Sequence, residues 1–205
     1  MKPKKARINK PPTGARFITS AAELSQCPKT KGEVAFIGRS NVGKSRLLGE
    51  LLGASSLVRT SRTPGRTQLI NFFANAHDDI LVDLPGYGFA TMPPASRRQL
   101  RALLESYLCE RESLLGVFLL LDIRREQASE DDLYFISLCR ERGLPLCLVI
   151  TKIDKLNKSQ RKPALEKIAA SLQVTSEQLF PCSSLEGDGI ASLRTQLAKF
   201  NSLGF

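Results

Sequence analysis

The stretch Gly38-Arg39-Ser40-Asn41-Val42-Gly43-Lys44-Ser45 (GRSNVGKS) decides how this chain folds. It satisfies G-x-x-x-x-G-K-[ST] at every fixed position. The apolar run Glu33 to Ile37 (EVAFI) leads into it, and a Leu-rich segment from Gly43 to about Leu52 follows. Strand, glycine-rich turn and helix in that order form a phosphate loop. Gly38 and Gly43 let the backbone curl so that successive N–H groups face phosphate oxygens. The helix start adds its dipole. In this reading Lys44 reaches the β- and γ-phosphates and Ser45 places its hydroxyl on Mg²⁺, while Arg39, Ser40, Asn41 and Val42 line the cradle.

Outward from this loop, apolar runs and amphipathic segments alternate to the C-terminus. Leu69 to Ala74 and Asp79 to Val82 read as a strand pair, and Pro93 to about Ser113 as a helix. Leu115 to Leu121 and Leu146 to Ile150 are continuous apolar runs, as strands covered on both faces must be. Ser129 to Arg142, Ser159 to Leu172 and Gly189 to Phe200 read as helices, with a short strand at Gln178 to Pro181. The expected fold is a three-layer α/β P-loop NTPase of the small G-protein type. Its mostly parallel, six-stranded sheet carries helices on both faces and binds ligand at the carboxyl ends of its strands.

Two further motifs narrow the ligand. Asp83, with Leu84, Pro85 and Gly86, ends the run ILVD. A carboxylate at the end of a buried strand needs a cation, and the expected one is Mg²⁺ reached through a water. Gly86 offers an unobstructed N–H to a γ-phosphate, which makes the motif a sensor of GTP. Thr151-Lys152-Ile153-Asp154 follows the strand LCLVI. Asp154 accepts two parallel hydrogen bonds from N1–H and N2–H of guanine, an edge that adenine lacks. Lys152 lays its stem along the base. Asn is commoner at the first position, and Thr151 cannot brace the loop in as many directions. Cys182-Ser183-Ser184 stands where a backbone N–H would meet guanine O6. The polar segment Ala54 to Gln68 reads as a mobile switch loop. It offers Thr60, Thr63 and Thr67 as caps for Mg²⁺, of which Thr67 directly precedes a strand.

The chain has 205 residues and a net charge of +10. Residues 1–32 hold eight Lys or Arg and one acid, so the first 30 or so residues read as a flexible basic arm, ending in a short strand or helix near Phe17 to Leu24, and 31–205 as the G domain. Such an arm suits a phosphate-rich partner such as RNA. Five cysteines with no CxxC read as reduced, mostly buried thiols, with Cys109, Cys139 and Cys147 in apolar stretches. No apolar run approaches the roughly 20 residues a membrane span needs. These features together predict a cytoplasmic monomer with no membrane partner.

GRSNVGKS, SRTPGRTQLINFF (Ser61 to Phe73), DLPGYGFA (Asp83 to Ala90), DIR (Asp122 to Arg124), TKIDK and CSS resemble the EngB (YihA/YsxC) GTPases of the Era-like branch. The resemblance covers about residues 17 to 200. It implies GTP hydrolysis, a role in assembly of the large ribosomal subunit through its rRNA, and a need for the protein in normal cell division and septation. It also implies nucleotide contacts by Gly65, Arg66, Thr67, Gln68 and Leu69, with Ser45 and Thr67 on Mg²⁺ and Lys44, Thr67 and Gly86 in catalysis. Val42 stands where Ala is common, and Cys182 where Phe or Thr often stands. Tyr87 occupies the position of the water-orienting Gln of Ras-type enzymes, so slow intrinsic turnover is expected. Asn41 matches a residue that ligates an activating K⁺ in several Era-like relatives. The alternatives are a septin-like structural GTPase, disfavoured because extra domains or heptads are absent, and a P-loop kinase, which has no use for TKID.

Overall fold

The computed structural model describes residues 14–60, 69–89 and 92–204. The strands are β1 (Arg16–Ala21), β2 (Glu33–Gly38), β3 (Ile70–Ala74), β4 (Ile80–Asp83), β5 (Leu114–Asp122), β6 (Leu146–Thr151) and β7 (Leu179–Pro181). The helices are α1 (Lys44–Leu52), α2 (Ser55–Thr60), α3 (Pro94–Glu110), α4 (Glu130–Glu141), α5 (Lys158–Leu172) and α6 (Ile190–Asn201). The strands form one sheet in the order β1-β3-β4-β2-β5-β6-β7. Pairing is parallel from β4 through β7 and antiparallel at β3–β4 and β1–β3.

The sheet therefore has seven strands, one more than the six expected. The extra strand is β1, which lies within the stretch assigned to the basic arm. It pairs with β3 across a bulge between Phe17 and Thr19. Being an edge strand, it buries little: Phe17 and Ile18 remain exposed. Its sequence consequently lacks the apolar signature of the inner strands. The Ala54 to Gln68 loop is corrected in part, because its first residues form α2, with Val58 in the core. Residues 61–68 lie outside the described residues.

The inner strands divide their side chains between two layers. Val34 and Phe36 of β2, with Phe118 and Leu120 of β5, pack against Leu47, Leu48 and Leu51 of α1 and Leu193, Leu197 and Phe200 of α6. Ala35 and Ile37, with Leu119 and Leu121, pack against Leu104 and Leu108 of α3, Phe135 and Ile136 of α4 and Ile168 of α5. This period-2 division makes the strand runs apolar throughout. Each fully buried Leu or Phe contributes about 1.5–3 kcal/mol of transfer free energy, so the two layers hold the strand ends rigidly in place.

At the opposite pole from those strand ends, Glu33 is fully buried and held by Arg111 Nε at 2.6 Å, by Arg111 Nη2 at 2.9 Å and by the Tyr107 hydroxyl. Arg111 also donates to the Pro28 carbonyl, which ties the segment after β1 to the domain. Among the described residues all five cysteines are free thiols. Cys139, Cys147 and Cys182 are buried, whereas Cys109 is exposed near the end of α3, contrary to its apolar sequence context. Among the described residues no helix is long and apolar enough to cross a membrane.

Candidate functional site

The carboxyl ends of β2, β4, β5 and β6 bring the three motifs together. The phosphate loop leaves β2 at Gly38 and enters α1 through Gly43, whose φ of 107° lies in the region that favours glycine. No side chain caps α1, so its first-turn N–H groups are left for an anion. By contrast, α4 starts with a complete capping box built by Ser129 and Asp132. The difference follows from sequence, since Gly43 has no side chain with which to cap.

Lys44 and Asp83 form a buried ion pair across the loop, at 4% and 2% side-chain exposure. The sequence argument gave Asp83 an Mg²⁺ counter-charge; in this structure Lys44 Nζ touches the carboxylate. What fits a metal is Ser45, whose Oγ is buried and has no hydrogen-bond partner. A buried hydroxyl without a partner is costly, and one in the first turn of a helix, at its N-terminus, suits a hard cation. Among the described residues no cluster of three or more His, Cys, Asp or Glu could hold a metal unaided. The donor set matches Mg²⁺, which keeps few protein ligands and takes phosphate oxygens and water for the rest.

The sensor segment is stitched to the phosphate loop. Ser40 donates to the Tyr87 carbonyl from its N–H at 2.8 Å and from its Oγ at 3.1 Å. Gly86 packs so closely that a Cβ there would meet Ser40 at 3.3 Å. Leu84 and Pro85 are buried, and the Leu84 N–H is taken by the Phe36 carbonyl, so in this motif Gly86 is the residue open to a ligand. The Tyr87 side chain turns away from the site. It is 4% exposed, its ring lies 5.0 Å from that of Phe135, and its hydroxyl donates to Asp132 Oδ1 at 2.5 Å. Burial, then the adjacent Asp132 carboxylate, push its pKa well above the usual tyrosine value.

At the base-reading end, Asp154 accepts a hydrogen bond from Ser183 Oγ at 2.8 Å and pairs with Lys155 at 3.1 Å. Burial works against its charge, but the Ser183 hydroxyl and the Lys155 ammonium outweigh it and hold the carboxyl below its ordinary value. The Cys182 and Ser183 N–H groups are engaged by the carbonyls of Ile150 and Asp188. Among the described residues the Ser184 N–H has no protein acceptor, so of these three N–H groups it is the one open to a ligand. The Ile153 side chain is buried in the core. Thr151 does more than its identity promised. Its Oγ1 lies 2.7 Å from the Val42 carbonyl and 3.1 Å from that of Leu121, so it braces the phosphate loop directly.

Two predicted contacts fare differently. Arg39 is folded beneath Gly88, where a Cβ would meet its Cζ at 2.9 Å, and its buried Nε has no partner. It lines a cavity of about 470 Å³ behind the loop, with Asn41, Phe89, Arg124 and Arg125. Gly65, Arg66, Thr67 and Gln68 lie outside the described residues, while Leu69 is half-buried just before β3. Sequence reasoning missed the pairing of Lys152 with Asp122. Lys152 Nζ donates to the Asn41 carbonyl at 2.6 Å and to Asp122 Oδ2 at 2.9 Å. The available signal was an acid ending a wholly apolar strand, the same signal that marked Asp83.

Comparison with known proteins places this geometry in a family. Residues 33–152 match the family described as "50S ribosome-binding GTPase". A protein of Nitrosococcus oceani named "Probable GTP-binding protein EngB" is 44% identical over 195 residues, 93% of this chain and 96% of that one. The chain belongs to the EngB family. The EngB relative of Geobacter sulfurreducens is 44% identical over 178 residues, 86% of either chain. Among solved structures, a probable GTP-binding protein engB superposes with a TM-score of 0.66 at 23% identity, covering 82% of this chain and 98% of that one. Era in complex with MgGDPNP and nucleotides 1506–1542 of 16S ribosomal RNA gives 0.60 at 22% identity, over 82% and 56% of the chains. At those identities the superpositions speak for the fold. This EngB-family chain is accordingly a P-loop GTPase, and its GTP-hydrolysing class agrees with the loop, sensor and base-reading ends gathered here.

Proposed function

We propose that this EngB-family GTPase acts as a monomeric, GTP-dependent switch in assembly of the large ribosomal subunit. Lys44, the α1 N-terminus and the loop backbone bind the phosphates. Ser45, Thr67 and, through a water, Asp83 would hold Mg²⁺. Asp154 and the Ser184 N–H read guanine, and Gly65, Arg66, Gln68 and Leu69 contact the nucleotide. The metal, when bound, neutralises charge on the β- and γ-phosphate oxygens.

The observation that carries the switch reading is the double hydrogen bond from Ser40 to the Tyr87 carbonyl. A γ-phosphate that engages Gly86 must disturb this joint. The disturbance passes to Gly88 and Phe89, which border the cavity behind the loop. The basic arm suits rRNA as the partner. With Tyr87 anchored inward, its side chain leaves the attacking water unoriented, so intrinsic hydrolysis is slow. The ribosomal particle, a K⁺ ligated by Asn41, or both accelerate it. The division and septation defects expected on its loss follow from poor ribosome supply.

Sucrose-gradient sedimentation tests this. The protein should comigrate with large subunits in a non-hydrolysable GTP analogue and leave them in GDP, and binding should weaken steeply with salt. Equal comigration in both nucleotides, or none in either, overturns the reading.

A further inference from the structure

Asp122 ends β5, and its strand register sets it beside Thr151, the first residue of TKID. Lys152 then leaves β6 in the left-handed region, at φ 62° and ψ 34°. Its stem crosses the phosphate loop, with Cε 3.7 Å from where a Gly43 side chain would begin. The ammonium ends between two acceptors from different elements, the Asn41 carbonyl and Asp122 Oδ2. Asp122 is itself clamped. Arg124 meets its two oxygens through Nε at 2.9 Å and Nη2 at 2.7 Å, and the Arg124 N–H adds a third bond at 3.0 Å. At 6% exposure the carboxylate has little freedom to leave the lysine.

We propose that Asp122 is a positioning residue for nucleotide binding, holding Lys152 extended over the phosphate loop so that its stem is ready along one face of the base. The inference rests on the reading of TKID as the guanine site. A free lysine would lose its rotamer entropy on binding nucleotide; one already ordered by Asp122 does not. The Asn41 carbonyl alone fixes a single direction, whereas the carboxylate supplies a second, charge-assisted anchor. Because the lysine stem touches the face of the base and not its hydrogen-bonding edge, Asp122 sets affinity without setting base choice.

The test is a double-mutant cycle on full-length protein, read by titration with fluorescent GDP. Asp122→Ala should weaken GDP about tenfold, the low end for a charge-assisted hydrogen bond. In a Lys152→Ala background the same change should cost less than about twofold, since its effect runs through the lysine. Asp122→Asn keeps an acceptor for the ammonium and should recover most of the loss. The ratio of GDP to IDP affinity should stay at the wild-type value in Asp122→Ala, because inosine lacks only the 2-amino group read by Asp154. An equal loss with and without Lys152, an Asn variant as weak as the Ala variant, or a changed GDP-to-IDP ratio overturns the inference. An Asp154→Asn control that leaves the GDP-to-IDP ratio at the wild-type value would instead sink the base-reader reading, whatever the cycle shows.

Discussion

Replacing Thr151 by Val tests whether the phosphate loop is braced from the base-reading strand. The change keeps the β-branched shape and removes only the hydroxyl. Thr151 is 2% exposed, and its Oγ1 sits 2.7 Å from the Val42 carbonyl and 3.1 Å from the Leu121 carbonyl. One hydrogen serves one of these at a time, and the shorter contact is to Val42. Losing it leaves a buried carbonyl without that donor, at a cost of about 1–3 kcal/mol. Near 2 kcal/mol, a chain of this length should melt about 4–8 °C lower. Urea unfolding should show a lower midpoint with the slope unchanged, as expected when stability falls without a change in exposed surface. GDP affinity should fall with it, because Val42 belongs to the phosphate loop. Thr151→Ser keeps the hydroxyl and should stay close to wild type. A Val variant within 0.5 kcal/mol of wild type, roughly the scatter of neutral substitutions, and with unchanged GDP affinity would refute the bracing argument.

Ser45→Ala should move stability and binding in opposite directions. The buried Oγ has no partner, so the nucleotide-free protein should melt no lower than wild type, while Mg²⁺-dependent GDP affinity drops; a lower melting temperature without nucleotide would refute the reading. Tyr87→Phe removes the bond to Asp132, which keeps Ser129 as a partner through N–H at 2.8 Å and Oγ at 2.6 Å. It should cost about 1.5–3 kcal/mol, as for bonds to charged groups, and speed amide exchange over residues 84–89; unaltered exchange contradicts the anchor. In Asp122, burial raises the carboxyl pKa, but Arg124 and Lys152 more than offset this, taking it from 3.8 to about 2. The folded pKa is the lower one, so the stabilisation is complete above about pH 4 and disappears as pH falls towards 2, amounting to about 2 kcal/mol. Asp122→Ala should show a correspondingly shallower loss of stability over that window in acid titration.

The parts of this molecule legible in its sequence are those where one requirement dominates. A strand covered on both faces must be apolar at every position, so β2, β5 and β6 announced themselves. A phosphate loop needs glycine, lysine and a hydroxyl at fixed spacing. Near Phe17 the sequence leaves strand and helix equally open, because an edge strand needs no apolar face, and α2 is hidden because six residues carry too little period. Side-chain direction was the other blind spot. That Tyr87 is not Gln could be read; that its ring turns to Phe135 depends on a pocket formed by α4. Thr151 looked deficient because its reach depends on how near Val42 lies, and Asp122 stands beside Lys152 only through strand register. A carboxylate at the end of a buried strand demands a cation, and in this structure the one touching Asp83 is Lys44.

The central claim is that this is a guanine-specific phosphate site, and Asp154→Asn tests it most directly by affinity for guanine and xanthine nucleotides. Exchanging the carboxylate for an amide removes the acceptor pair for N1–H and N2–H and supplies a donor for the C2 carbonyl of xanthine. The account predicts that GDP affinity falls about 100-fold or more, the equivalent of two such hydrogen bonds, while XDP affinity rises above that of GDP. Unchanged GDP affinity, with XDP no better than in the wild type, would contradict it.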